Sequence, residues 1–159
     1  MQGRGLFGDS MITHSKKTLY YTWMAVSIIL LHIACSPKPE YPAPRIQNSD
    51  IVIDLRSIPR DRPLFFTHRR ENTGIRFFVI SISGKAQAFL DACAECYPKK
   101  LGYEFRNGVF ACKACGVTYS EKELEHGMGS CYPIRLTAYQ RGDELRIPLS
   151  ELVKYADKF

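Results

Sequence analysis

The chain lacks the sequence patterns of most enzymes. It has no Gly-x-Ser-x-Gly elbow, no glycine-rich phosphate loop and no histidine-rich ligand set for hydrolysis. An enzyme with its own substrate is therefore not expected. Histidine is scarce, and only His68 and His126 fall in the second two thirds of the chain. His68, beside Arg69 and Arg70, reads as a surface residue, and His126 as the exposed end of a helical turn. No basic run is interleaved with aromatics and the net charge is a modest +6, which argues against a nucleic-acid face. A basic surface turned toward an anionic membrane is the simpler reading of that charge. No apolar run reaches the roughly 20 residues of a comfortable membrane span. There are no internal repeats beyond one paired cysteine motif.

Cysteine is what the chain has, and it is concentrated. Five of the six cysteines lie between residues 93 and 131. Cys93-Ala94-Glu95-Cys96 is followed after fifteen residues by Cys112-Lys113-Ala114-Cys115-Gly116, and fifteen residues separate Cys115 from Cys131. A Cys-x-x-Cys loop turns two sulfurs toward one point, and two such loops joined by a hairpin complete a four-thiolate cage. Between them, Tyr103–Arg106 and Gly108–Ala111 flank Asn107-Gly108, a strong hairpin signal because both turn positions need positive φ. Gly116 permits a tight bend that aims backbone amides at a sulfur. The expected ligands are Cys93, Cys96, Cys112 and Cys115, with Cys131 a fifth cofactor-binding candidate. The layout suits a zinc ribbon or a rubredoxin-like knuckle equally. Structural disulfides fit less well, because five exported cysteines leave one unpaired and Cys-x-x-Cys bridges close loops too short to stabilise much. A thioredoxin-type pair needs an amphipathic helix after the motif, and neither pair leads into one.

The chain is expected to divide into a leader or anchor (1–35), a proline-rich tether (36–49) and a cysteine-rich domain (50–159). Residues 1–10 read as an overhang before Met11. Lys16 and Lys17 then precede the apolar stretch Trp23–Leu31, which ends at Ala34-Cys35. This is the pattern of a secretory signal. Cys35 resembles the lipobox cysteine of bacterial lipoproteins, although His32 stands where leucine is usual. Lipidation at Cys35 and an uncleaved anchor are the two readings, and both put the domain on the extracytoplasmic (periplasmic) side of the cell membrane. Pro37, Pro39, Pro42 and Pro44 make the tether extended.

The domain reads as mainly β, a small α+β antiparallel sheet carrying the cysteine hairpin and short helices. Residues 51–56 read as an edge strand, Leu64–Arg70 as a second strand, and Ile75–Ile82 as a central one because it is almost continuously apolar. Ala86–Leu90 delivers the chain to Cys93. Ser120–Glu123 reads as a capping box, Ile134–Gln140 and Glu144–Ile147 as a last hairpin, and Ser150 as the cap of a terminal helix. Asp91 reads as a turn cap. Tyr97, Tyr103, Phe105 and Phe110 surround the cysteines in sequence and are placed to exclude water or pack the hairpin.

Several segments together resemble the FtrD-like iron-sulfur membrane proteins. They are Phe77–Ile80, Gly84-Lys85, Phe89-Leu90-Asp91-Ala92-Cys93-Ala94-Glu95-Cys96-Tyr97-Pro98, Gly102-Tyr103, Cys112-Lys113-Ala114-Cys115-Gly116 and Gly129-Ser130-Cys131-Tyr132-Pro133. The resemblance runs from about Ile51 to Phe159. Where that family usually has Gly-Gly-Cys-Asn-Pro, this chain has Gly129-Ser130-Cys131-Tyr132-Pro133, which keeps the sulfur and changes the polarity around it. The resemblance implies an accessory protein of ferrous-iron uptake, working with an iron permease and a membrane ferredoxin-like electron donor. It implies an iron-sulfur cluster or cysteine-ligated iron on Cys93, Cys96, Cys112 and Cys115, with Cys131 a fifth candidate. Such a centre passes one electron. Zinc or copper in the same cage would instead make a redox-inert structural or metal-delivery module. Five sulfurs exceed the need of one ion, so an exchangeable ligand, a disulfide partner and a choice of four from five all stand open.

Overall fold

The computed structural model describes Tyr21 and residues 40–126 and 131–159. The chain divides into Met1–Lys38 and Pro39–Phe159, and the architecture below is that of the second unit. The apolar leader, Cys35, residues 36–39 of the proline tether and the glycines at 127 and 129 lie outside the described residues.

Strand β1 (Arg45–Gln47) turns back through Asn48 and Ser49, both at positive φ, into β2 (Asp50–Asp54). β3 (Leu64–Arg70) and β4 (Thr73–Ile82) form a long antiparallel hairpin, and Ser83-Gly84, with φ of 51° and 79°, turns β4 into β5 (Lys85–Cys93). Two consecutive positive φ values suit the twist of the strands they join. β6 (Tyr103–Arg106), β7 (Val109–Cys112) and β8 (Thr118–Ser120) make a small three-stranded sheet, turning at Asn107-Gly108 as the sequence predicts. β9 (Pro133–Arg135), β10 (Tyr139–Arg141), β11 (Glu144–Pro148) and helix α1 (Leu149–Val153) complete the chain. The protein is thus mostly antiparallel β, in three sheets ordered β1-β2-β11-β10, β3-β4-β5-β9 and β6-β7-β8.

The β3-β4-β5-β9 sheet lies between two cores, which explains the apolar run in β4. Successive side chains of a strand point to opposite faces. Ile75, Phe77 and Val79 of β4, with Ala88, Leu90 and Ala92 of β5, meet Ile51, Ile53, Leu145, Ile147 and Leu152. The alternate residues Phe78, Ile80, Ile82, Phe89 and Cys93 meet Tyr103, Phe110, Cys112 and Tyr119. One face therefore packs against the outer sheet and α1, and the other carries the cysteine hairpin. Phe78 anchors the second core, stacked on Phe110 at 4.9 Å and on Phe89 at 5.5 Å between ring centroids.

Three local expectations are corrected by pairings that span long sequence distances. β2 is not an edge strand. It lies between β1 and β11, and Ile51, Val52 and Ile53 are all buried. The expected strand over 134–140 is two strands in different sheets. The chain crosses between them where the Leu136 amide donates to the Ala88 carbonyl (2.9 Å) and the Thr137 amide to the Glu151 carboxylate (3.1 Å). Ser150 is inside α1, whose cap position is Pro148, and the Leu149 amide donates to the Ser49 carbonyl at 2.9 Å. The capping box expected at Ser120–Glu123 forms in part: Ser120 ends β8, its amide and hydroxyl donate to the Glu123 carboxylate, and a 3-10 turn follows at Glu123–Glu125.

Part of the stretch expected as tether is structured. The Thr67 amide donates to the Pro42 carbonyl at 3.1 Å, the Tyr41 amide to the Thr67 hydroxyl at 2.9 Å, and Tyr41 stacks on Phe65.

Candidate metal centre

Two knuckles and one returning strand bring five sulfurs together. Cys93 is the last residue of β5, beyond the last β4–β5 pair of Phe77 with Leu90, and is positioned by its pairing with Pro133 of β9. The chain leaves it through a 3-10 turn at Tyr97–Lys99, with Lys100 in the left-handed region and the Lys99 amide donating to the Cys96 carbonyl. Cys112 is likewise the last residue of β7. Its amide donates to the Val117 carbonyl (2.9 Å), and the Gly116 amide returns to the Cys112 carbonyl (2.8 Å). Gly116 has φ of +76°, the conformation this tight return requires. The knuckles are joined where the Lys113 amide donates to the Gly102 carbonyl at 3.0 Å.

Cys131 arrives from β9. Cys93 pairs with Pro133 in the ladder, and the Ala94 amide donates to the Tyr132 carbonyl at 2.9 Å. The Tyr119 hydroxyl donates to the Cys131 carbonyl. Cys131 Sγ lies 3.1 Å from Cys93 Sγ and 3.1 Å from Cys115 Sγ. All five cysteines of the domain are free thiols.

The sulfurs of Cys93, Cys96, Cys112 and Cys131 lie within 4.8 Å of one another. A metal–sulfur bond of about 2.3 Å sets the edge of a tetrahedral four-thiolate site at about 3.8 Å. This set therefore has the chemistry and the spacing for a thiolate-bound metal. Cys115 belongs to the expected ligands but is not in this group of four, although its thiol also meets those of Cys131, Cys112 and Cys96. Neither His68 nor His126 belongs to it.

The thiols are electrostatically unequal. Burial pushes Cys96 up to about 12, helped by Cys93 and Cys115. Burial also raises Cys131 and Cys112. For Cys93 burial acts upward too, but the Cys131 thiol and the amides of Cys96 and Glu95 outweigh it and leave the group lowered. Cys115 is solvent-exposed, and the Val117 amide followed by Cys131 brings it down to about 7. Hydrogen bonds to a thiolate favour the charged form, whereas burial disfavours it.

Beneath the knuckles lies an ion pair that the sequence reading did not find. Asp91 on β5 and Arg76 on β4 are both buried, and Arg76 Nε donates to Asp91 Oδ2 at 3.0 Å. The other Asp91 oxygen accepts the Tyr103 amide at 2.6 Å. Arg76 continues to the Lys100 carbonyl (3.1 Å) and stands over the Phe159 ring. Asp91 is therefore a strut between the central sheet and the hairpin rather than a turn cap. Burial raises its pKa to about 6 against the pull of the Tyr103 amide and Arg76. A Cβ on Gly102, at φ +70°, would overlap the Asp91 carboxylate, so this close approach needs glycine. The legible signal was an arginine inside the apolar run of β4.

Tyr103 also bears on the sulfurs. Its hydroxyl is buried without a formed hydrogen bond. Burial, then Cys93, raises its pKa, while the tyrosine in turn helps lower Cys93. A phenol in this position is a ready donor to a bound thiolate.

Residues 58–159 match the family described as membrane iron-sulfur containing protein FtrD-like. No curated protein and no solved structure matches the chain. No helix among the described residues is long and apolar enough to cross a membrane.

Proposed function

The chain belongs to the FtrD-like membrane iron-sulfur family, and on that premise we propose that it relays electrons in iron transport through a cysteine-ligated iron or iron-sulfur centre. The observation that carries this reading is the convergence of five free thiols inside the matched region, four of them within 4.8 Å. Four of the five sulfurs of Cys93, Cys96, Cys112, Cys115 and Cys131 would hold the centre. When bound, iron on thiolates supplies one-electron chemistry, its potential set by charge, hydrogen bonds and exposure. The chain's own contribution is to hold the sulfurs on two sheets, to bury one side of the site under Phe78, Phe110 and Tyr119, and to leave Cys115 open to solvent.

In this proposal residues 1–35 are the leader or anchor, with Cys35 its lipidation site, residues 36–49 the tether and residues 50–159 the cysteine-rich domain on the extracytoplasmic face. The partners are an iron permease and a membrane ferredoxin-like donor, as the earlier family resemblance implies. The test is anaerobic purification after iron-replete expression. Bound iron and a visible spectrum that bleaches on reduction are expected. Colourless protein with stoichiometric zinc overturns the relay and leaves a redox-inert metal module.

A further inference from the structure

We infer that the site takes a single metal ion on Cys93, Cys96, Cys112 and Cys131, and that Cys115 is not a ligand. This deepens the metal-centre reading and holds whether or not the metal is iron. Paired Cys-x-x-Cys motifs suggest by symmetry that each pair supplies two ligands. The fold breaks that symmetry. Cys131 is tied to the first knuckle by the β5–β9 pairing of Cys93 with Pro133 and by the Ala94 amide on the Tyr132 carbonyl. Its own carbonyl is held by Tyr119, from β8 of the hairpin sheet. Cys131 is thereby fixed from both sides of the site.

Burial separates the same residues. Cys93 and Cys112 are buried and Cys96 and Cys131 half-buried, whereas Cys115 is exposed. The span of the group is the argument for nuclearity. Four sulfurs within 4.8 Å surround one ion with tetrahedral edges of about 3.8 Å. The thiolates of a multi-iron cluster bind different irons and spread further apart than the edge of one tetrahedron. Cys115 is left 3.1 Å from the ligand Cys131, a free thiol at the open side of the site.

Cobalt(II) tests this without depending on iron or on a redox partner. The full chain in detergent is expected to bind one cobalt ion, with the absorption of tetrahedral four-thiolate coordination. Cys115→Ser should keep the stoichiometry, spectrum and affinity. Cys131→Ser should lose the four-thiolate spectrum and weaken binding by more than the roughly 10–100-fold that loss of a supporting contact costs. The wild-type protein gives a second readout that does not require a variant to fold. In cobalt-loaded chain, iodoacetamide should modify Cys115 while sparing Cys93, Cys96, Cys112 and Cys131. Tryptic cleavage after Lys113 separates Cys112 from Cys115 for mapping. The assignment is overturned by loss of the spectrum in Cys115→Ser, by its retention in Cys131→Ser, by protection of Cys115, or by more than one ion per chain. Absence of cobalt binding sinks both this assignment and the metal-centre reading, whereas a different ligand set sinks the assignment alone.

Discussion

Around the sulfurs, single polar groups set what the centre can do. Tyr103 is the clearest case, because its buried hydroxyl has no formed hydrogen bond and acts on Cys93. A donor to a metal-bound thiolate favours the more negative, reduced state and so raises the reduction potential. Tyr103→Phe keeps the ring in its packing against Phe78 and Tyr119 and removes only the donor. The iron-loaded variant is expected to retain its metal and show a lower midpoint potential, measured by spectroelectrochemistry. An unchanged potential with intact metal would remove Tyr103 from the tuning groups. Asp91 works differently, positioning Tyr103 by accepting its amide while neutralising Arg76 in the core. Burying one of these charges without the other would cost on the order of 3–5 kcal/mol, so the two are best regarded as one unit.

Among the elements, α1 has only five residues, too short to be stable alone. It is held by burial of Leu152 and by Glu151, whose carboxylate accepts the Thr137 amide at 3.1 Å and the Lys154 ammonium at 2.5 Å. Burial alone would raise the Glu151 pKa, but Lys154 and the Thr137 amide outweigh it and leave the carboxylate lowered. A lowered folded-state pKa means stability that is present above the unfolded-state value and lost as pH falls through the folded one. Glu151→Gln should therefore lower stability by about 1 kcal/mol near neutral pH. It should also flatten the acid side of the pH–stability curve, read by urea unfolding at several pH values. A variant curve parallel to the wild type would show that the contact contributes no linkage. The cysteine hairpin was legible at this scale because its turn, Asn107-Gly108, is a local signal. The last hairpin forms as expected between Tyr139–Arg141 and Glu144–Pro148, but its first strand is shorter than Ile134–Gln140 suggests, because Leu136 and Thr137 are claimed by Ala88 and Glu151 from other parts of the chain.

For the whole folded unit, stability rests on two cores sharing one sheet, and its beginning is set by contact with that sheet. A soluble chain starting at residue 40 keeps β1, the Tyr41–Phe65 stack and the bonds from Thr67, and it should fold. Starting at residue 50 removes these and exposes an edge of β2, and the melting temperature should drop by about 10 °C or more. Equal melting temperatures, by calorimetry at one protein concentration, would show that residues 40–49 only tether. The sequence by itself determined the mainly β class, the hairpin at Asn107-Gly108, the central place of β4 and the grouping of cysteines in Cys-x-x-Cys knuckles. Each rests on periodicity or spacing within a few residues, where backbone sterics act directly. Only the tertiary structure decided that β2 is interior, that Arg76 and Asp91 pair beneath the site, and that Cys131 enters the group of four while Cys115 stands outside it. These depend on strand pairings between residues far apart in sequence, and no local pattern records which partner a strand edge will find.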